Sequence, residues 1–104
     1  MNIPEKVRIG SMDYDVIKTD NVILLDGVQC YGMIDYISHR IEIDETAQDE
    51  QGMEVTFLHE LIHGILISRG MDKESADEKL VNELARGFHQ VIRDNHNIFC
   101  CKKI

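Results

Sequence analysis

Several residue types are scarce in this sequence, and each scarcity argues against a class of protein. The 104 residues include no tryptophan, one proline (Pro4) and three cysteines. The cysteines are Cys30, Cys100 and Cys101. An odd count with two adjacent members is a poor disulfide framework, so we expect free thiols. No apolar run approaches the ~18 residues of a membrane span, and the first residues lack the apolar core of a signal peptide. We therefore expect a cytoplasmic protein that does not bind membranes.

Positive charge is also scarce. Lysine and arginine number 11 against 19 acidic residues, which gives a formal net charge of −8. Nucleic acids and anionic membranes are bound by basic surfaces, because binding requires neutralisation of their charge. The composition therefore argues against a general nucleic-acid or anionic-membrane binder. Apolar residues make up 43% of the chain, enough for a single domain over residues 1–104 with one modest core.

The first part of the chain has the period of β-strands. Apolar and polar residues alternate over 6–10, 12–18, 31–37 and 40–44, whereas the apolar run 21–27 fits a strand or a helical turn equally well. We predict an antiparallel β-meander over residues 1–45, with one face on a core.

The second part has the period of helices. Apolar residues recur at helical spacing from about 48 to 68, and Gly70 supplies a stop. After a short linker, a second helix is predicted over 74–95, followed by a tail, 96–104. Its apolar face is Leu80, Leu84, Phe88, Val91 and Ile92. The two helices of 48–95 should pack as antiparallel neighbours, which makes the fold class α+β.

The first helix contains the motif His59-Glu60-Leu61-Ile62-His63, which fits H-E-x-x-H. On a helix, positions i and i+4 lie on one face about one turn apart, so both imidazoles can reach one metal ion. Glu60 is rotated by about 100° from His59 and is better placed to reach a water molecule than to bind the same ion. This pattern predicts a metal site with a carboxylate beside it that can reach a bound water molecule.

A zinc centre that catalyses hydrolysis needs a third protein ligand. Leu66 and Arg69 stand where a longer motif would carry its glycine-and-histidine extension, so the third ligand is expected on the second helix. The candidates there are Asp77, Glu78, Glu83 and His89. Glu83 lies at the rim of the predicted apolar face and is our first choice, with Asp77 second. Glu78 and His89 are expected on the solvent side.

The motif with Glu83 in "NELA" resembles the thermolysin-type zinc peptidases called gluzincins. The order of strands, motif helix and second helix over residues 30–95 resembles the small zincin-like ImmA/IrrE-type metallopeptidases of phages and mobile elements. The resemblance implies one Zn²⁺ ion bound by His59, His63 and Glu83, with Glu60 as general base. Gluzincins usually carry an Asp one turn after the ligand Glu, where this chain has Gly87.

The resemblance also implies a reaction, the hydrolysis of a peptide bond in a protein substrate by a metal-activated water molecule. The edge strand before the active helix pairs with the substrate in zincins. Here that strand would be 40–44, whose outward acidic residues Glu42 and Asp44 would favour a basic peptide. Tyr36 or His39 could stabilise the oxyanion.

Two other interpretations fit the residues. One is a zinc-stabilised module that binds a protein and has lost turnover. The small size favours it, because it leaves little room for the wall of a substrate cleft. Gly87 also favours it, because glycine cannot supply the side chain that steadies a zinc-binding histidine. The other is a metal-free helix in which the motif is fortuitous.

Overall fold

The computed structural model describes residues 1–95 and 97–99, and their fold is α+β with strands preceding helices, as predicted. The elements are β1 Lys6–Ile9, β2 Met12–Thr19, β3 Ile23–Leu25, β4 Val28–Cys30, β5 Gly32–Asp35, β6 Arg40–Asp44, α1 Glu50–Ser68, α2 Asp72–Ala76 and α3 Glu78–Asp94. None of the helices in this part of the chain has both the length and the apolarity to cross a bilayer. Of the predicted tail, only 97–99 are described, so Cys100 and Cys101 lie outside the described residues.

Four strands form one sheet in the order β1-β2-β6-β5, and β3 pairs with β4 in a separate hairpin. Pairing is antiparallel as predicted, except that β2 and β6 run parallel. The hairpin and β5 intervene between them in the chain, and a turn at 36–39 then reverses the chain into β6. The prediction of purely antiparallel pairing is therefore corrected at this one pair.

This order also corrects the expected substrate-binding strand. Both edges of β6 are paired, to β2 and to β5, so residues 40–44 have no free backbone to offer a peptide. Asp44 is fully buried and does not face outward. The edge strands are β1 and β5, and the outer side of β5 carries no partner strand among the described residues.

Helix α1 lies on this sheet. Its N-cap is Asp49, whose carboxylate accepts a hydrogen bond of 2.7 Å from the backbone N–H of Gly52. The core consists mainly of apolar residues from α1 and from the sheet, among them Ile41, Ile43, Phe57, Leu58 and Ile62. A Cβ atom at Gly64 would lie 2.7 Å from Cδ1 of Ile9 and 3.0 Å from Cδ1 of Ile34. Glycine at this position therefore lets the helix approach the sheet closely.

Helix α3 packs on α1 through a face that differs from the predicted one. The buried residues are Val81, Ala85 and His89, whereas the predicted core residues Leu80, Leu84 and Phe88 are exposed. His89, expected to be solvated, is buried, and its Nε2 lies 2.7 Å from Oε1 of the buried Glu54 on α1. A small alanine and a buried polar pair determine this packing. Apolar periodicity carries no signal for either.

Candidate metal centre

The two motif histidines lie side by side on α1. Their Nε2 atoms are 3.1 Å apart, and their side chains are only 19% exposed for His59 and 12% for His63. Burial, followed by the neighbouring His63, lowers the pKa of His59, and Glu78 and Asn82 act against that shift. A lowered pKa favours neutral imidazole, the form that binds metal.

Glu78, the first residue of α3, faces both rings. Its Oε2 lies 3.3 Å from Nε2 of His59, and its Oε1 lies 3.2 Å from Nε2 of His63. The three residues form a group that could hold a metal ion, with ligand atoms within 4.8 Å of one another. Two ligands at about 2.0–2.1 Å from a tetrahedral zinc ion are separated by roughly 3.3–3.4 Å. The observed separations of 3.1–3.3 Å therefore fit ligation of a single small ion.

The structure thus brings Glu78, rather than Glu83, to the histidines. The expectation that Glu78 projects away from them was wrong, although 64% of its side chain is exposed to solvent. The reason is the rotation of α3. Glu78 stands three residues before Val81 and so lies toward the side of α3 that packs on α1, whereas Glu83 stands two before Ala85 and is rotated from it by roughly 200°. Glu83 lines the same cavity without joining the group. Asp77 is the N-cap of α3, because its Oδ1 accepts a hydrogen bond of 3.1 Å from the N–H of Leu80.

Ser75 contributes to the site, and the sequence analysis missed it. It lies buried in α2, where its Oγ is 2.8 Å from Nδ1 of His63. When Nδ1 carries the proton and donates a hydrogen bond to this hydroxyl, the lone pair is on Nε2, which faces Glu78. Ser75 therefore orients His63, which Gly87, having no side chain, cannot do. In the sequence, Ser75 stands at the start of the second predicted helix, where a serine is as typical of a helix cap as of a residue that supports a site.

Glu60 lies beside the metal group and is 8% exposed. Burial, then the charge of Glu78, raises its pKa to about 7. The start of β5 lies against this side chain, because a Cβ atom at Gly32 would be in ordinary van der Waals contact with Cγ of Glu60, at 3.5 Å. A carboxyl with a pKa near neutrality can both accept and return a proton.

Of the two predicted oxyanion donors, Tyr36 lines the cavity. Burial, followed by the charge of Glu60, raises its pKa to about 12, so that its hydroxyl keeps its proton. His39 lies in the turn with a φ of 55°, and its ring packs edge-on against Tyr14 at 5.3 Å. His39 is not among the residues that line the cavity.

These groups line a cavity of about 1020 Å³. One wall consists of apolar and aromatic residues from the β3–β4 hairpin, from β5 and from α1, among them Leu25, Tyr31, Met33 and Val55. The opposite wall is α3, with Lys79, Asn82, Glu83 and Arg86. The space is sufficient for a short stretch of an extended peptide.

Comparison with protein-family models, curated proteins and solved structures finds no match to this chain.

Proposed function

We propose that this chain is a zinc-dependent endopeptidase whose metal ligands are His59, His63 and Glu78 and whose general base is Glu60. The observation that carries the proposal is the convergence of two imidazole nitrogens and one carboxylate at 3.1–3.3 Å, with a buried carboxylate of raised pKa beside them. Two histidines and a glutamate are the ligand set of the thermolysin type of catalytic zinc site. Glu83 leaves the proposed ligand set because Glu78 occupies its place.

The ion would supply Lewis acidity, lowering the pKa of a bound water molecule and polarising a substrate carbonyl. The chain's own residues account for the remaining requirements. Glu60 takes up the proton of the attacking water and delivers it to the leaving amine. Tyr36 donates a hydrogen bond from its protonated hydroxyl toward the oxygen that gains charge.

Substrate orientation would come from β5. Three of its residues, Gly32, Met33 and Ile34, line the cavity, and its outer edge is unpaired among the described strands. An extended peptide can add to such an edge through backbone hydrogen bonds. This mode of binding does not depend on chain ends, so it favours cleavage within a chain.

The test is a comparison of the wild-type protein with Glu60→Gln. Both should bind close to one equivalent of zinc and unfold at similar temperatures, but only the wild type should cleave denatured proteins. General acid–base catalysis typically contributes 10²–10⁴-fold, so the variant should lose about that factor. Equal cleavage by both proteins, or failure of the purified wild type to bind zinc, would contradict the proposal.

The alternative of a binding module that has lost turnover is favoured by one further observation. Two large apolar side chains that line the cavity are exposed, Leu25 at 44% and Tyr31 at 59%. Clustered exposed apolar residues are typical of protein-binding surfaces. A biological effect that survived Glu60→Gln would support this alternative.

A further inference from the structure

Two cations lie on the α3 wall of the cavity. Lys79 and Arg86 both line it, and they stand two helical turns apart, roughly 10 Å along the axis. This spacing places both side chains on the same side of the helix, next to the proposed ligand Glu78. A peptide bound along β5 would pass in front of them.

Neither cation is neutralised by a neighbour. Within the described part of the chain, no carboxylate lies within 4.0 Å of Lys79 or Arg86. Glu83 stands at i+4 from Lys79 and three residues before Arg86, spacings that permit helical ion pairs, and yet it forms neither.

Three other cations of the described residues are paired, whereas Lys18, Arg69, Lys73 and Arg93 also have no carboxylate within 4.0 Å. Lys6 bonds to Asp15 at 3.7 Å, Arg8 to Asp13 at 2.9 Å and Arg40 to Glu42 at 3.4 Å. Lys79 and Arg86 differ from the other unpaired cations in their position, because these two line the cavity beside the metal group. The cavity wall therefore presents positive charge that the fold itself does not use.

The remaining charges of the cavity do not cancel this effect. Glu78 belongs to the metal group, and Glu60 is buried beside it. Glu83 alone offsets the two cations on the α3 wall, and the facing wall is largely apolar. The outer part of the cavity is therefore suited to a carboxylate.

We infer that the site selects substrates carrying an aspartate or glutamate close to the cleaved bond, with its carboxylate bound by Arg86 and Lys79. This inference depends on the proposed peptidase function. The planar guanidinium of Arg86 can hold both oxygens of a carboxylate, and Lys79 adds a second positive charge. The substrate class is opposite to the basic peptide that the acidic residues of 40–44 predicted.

The experiment uses a proteome-derived peptide library digested by the zinc-loaded wild type, by Arg86→Glu and by Arg93→Glu, with cut sites mapped by mass spectrometry. Arg93 is an exposed arginine near the end of the same helix and does not line the cavity, so it controls for a change of charge on α3. One cleaved peptide, or an acidic library peptide if none is cleaved, is then resynthesised with Glu, Gln or Lys at one acidic position. Binding of the three peptides to Glu60→Gln is measured by fluorescence anisotropy at low and high salt.

We expect acidic residues to be enriched within about three positions of the cut bond for the wild type and for Arg93→Glu. The Glu peptide should exceed the Gln peptide in kcat/KM and in affinity by roughly 3- to 10-fold, and high salt should reduce the difference. Arg86→Glu should abolish or reverse the preference.

Cleavage that depends on Glu60 but shows no acidic preference, or an unchanged preference in Arg86→Glu, would overturn this inference and leave the proposed function standing. Selective binding of the Glu peptide by a protein that cuts nothing would support the charge selectivity and contradict the peptidase. A wild type that neither binds nor cuts any library peptide would overturn both.

Discussion

Oε1 of Glu78 lies 3.2 Å from Nε2 of His63, across the interface between α3 and α1. The contact joins the first residue of one helix to the middle of another, and Oε2 of the same carboxylate reaches His59. Glu78 remains 64% exposed on its side chain, so it borders the site at the mouth of the cavity. The metal centre thus depends on how the two helices are oriented.

The first prediction separates the two candidate third ligands. Glu78→Gln should weaken zinc binding by at least about 100-fold, because it removes a charged ligand, whereas loss of an outer hydrogen-bond partner already costs 10–100-fold. Glu83→Gln, the matched control on the same helix, should change zinc affinity by less than about threefold. Competition with a chromogenic chelator measures both. The reverse order of effects would make Glu83 the ligand.

The second prediction concerns the serine behind His63. Ser75→Ala should lower zinc affinity or kcat/KM by roughly 10–100-fold, because the imidazole would lose the partner at 2.8 Å that fixes its orientation. Ser68→Ala is the control, because the Ser68 hydroxyl is exposed and bonds only to the carbonyl of Ile65 at 2.8 Å. Equal zinc affinities for the two variants would show that Ser75 does not support the site.

The third prediction concerns the close approach of β5 and α1. A Cβ atom at Gly32 would overlap Cγ2 of Thr56 and lie 3.1 Å from the carbonyl oxygen of Glu42. Gly32→Ala should therefore lower the free energy of unfolding by about 1–3 kcal/mol, as measured in urea. Adding Thr56→Ser removes that methyl group and keeps the hydroxyl that bonds to Gln48 Oε1 at 2.7 Å, so it should restore part of the loss.

A matched glycine provides the control. Nothing lies within 4 Å of a Cβ atom at Gly87, which is exposed inside α3. Gly87→Ala should therefore stabilise the protein by about 0.5–1 kcal/mol through helix propensity alone. Similar destabilisation by both alanines would show that the contact at Gly32 is not tight.

The fourth prediction is a pH dependence of stability from Asp44. Hydrogen bonds from the Thr46 side chain, then from the backbone N–H of Thr46, lower the pKa of this carboxyl, and the N–H of Ala47 adds to the effect. A carboxyl whose pKa is lower in the folded protein adds stability above its unfolded value of about 3.9, and the stability is lost as pH falls through the folded pKa.

Asp44→Asn should therefore lower the thermal midpoint at pH 7, and its difference from the wild type should shrink as the pH falls below about 4. Melting curves recorded with chelator present exclude the separate effect of metal release. A difference that stays constant from pH 7 to pH 3 would mean that the ionised form of Asp44 adds nothing.

Much of the architecture was readable from local patterns. Alternation over 6–10, 12–18 and 40–44 predicted strands that the structure contains, and the period of 48–68 predicted α1. What escaped prediction was non-local. The parallel pairing of β2 with β6 depends on where the chain returns after the hairpin. The helix α2, a short element of five residues, was also not predicted as a separate helix.

The sequence by itself determined the histidine pair and the position of Glu60, because both follow from helical geometry within one segment. Tertiary structure decided the third member of the group. Apolar periodicity placed Leu80 and Leu84 at the interface, but α3 packs through Ala85 and the pair of His89 with Glu54, so the helix is rotated and Glu78 faces the site. Helix orientation is determined by close packing and buried polar pairs between distant segments, which a hydrophobic pattern within one segment does not encode.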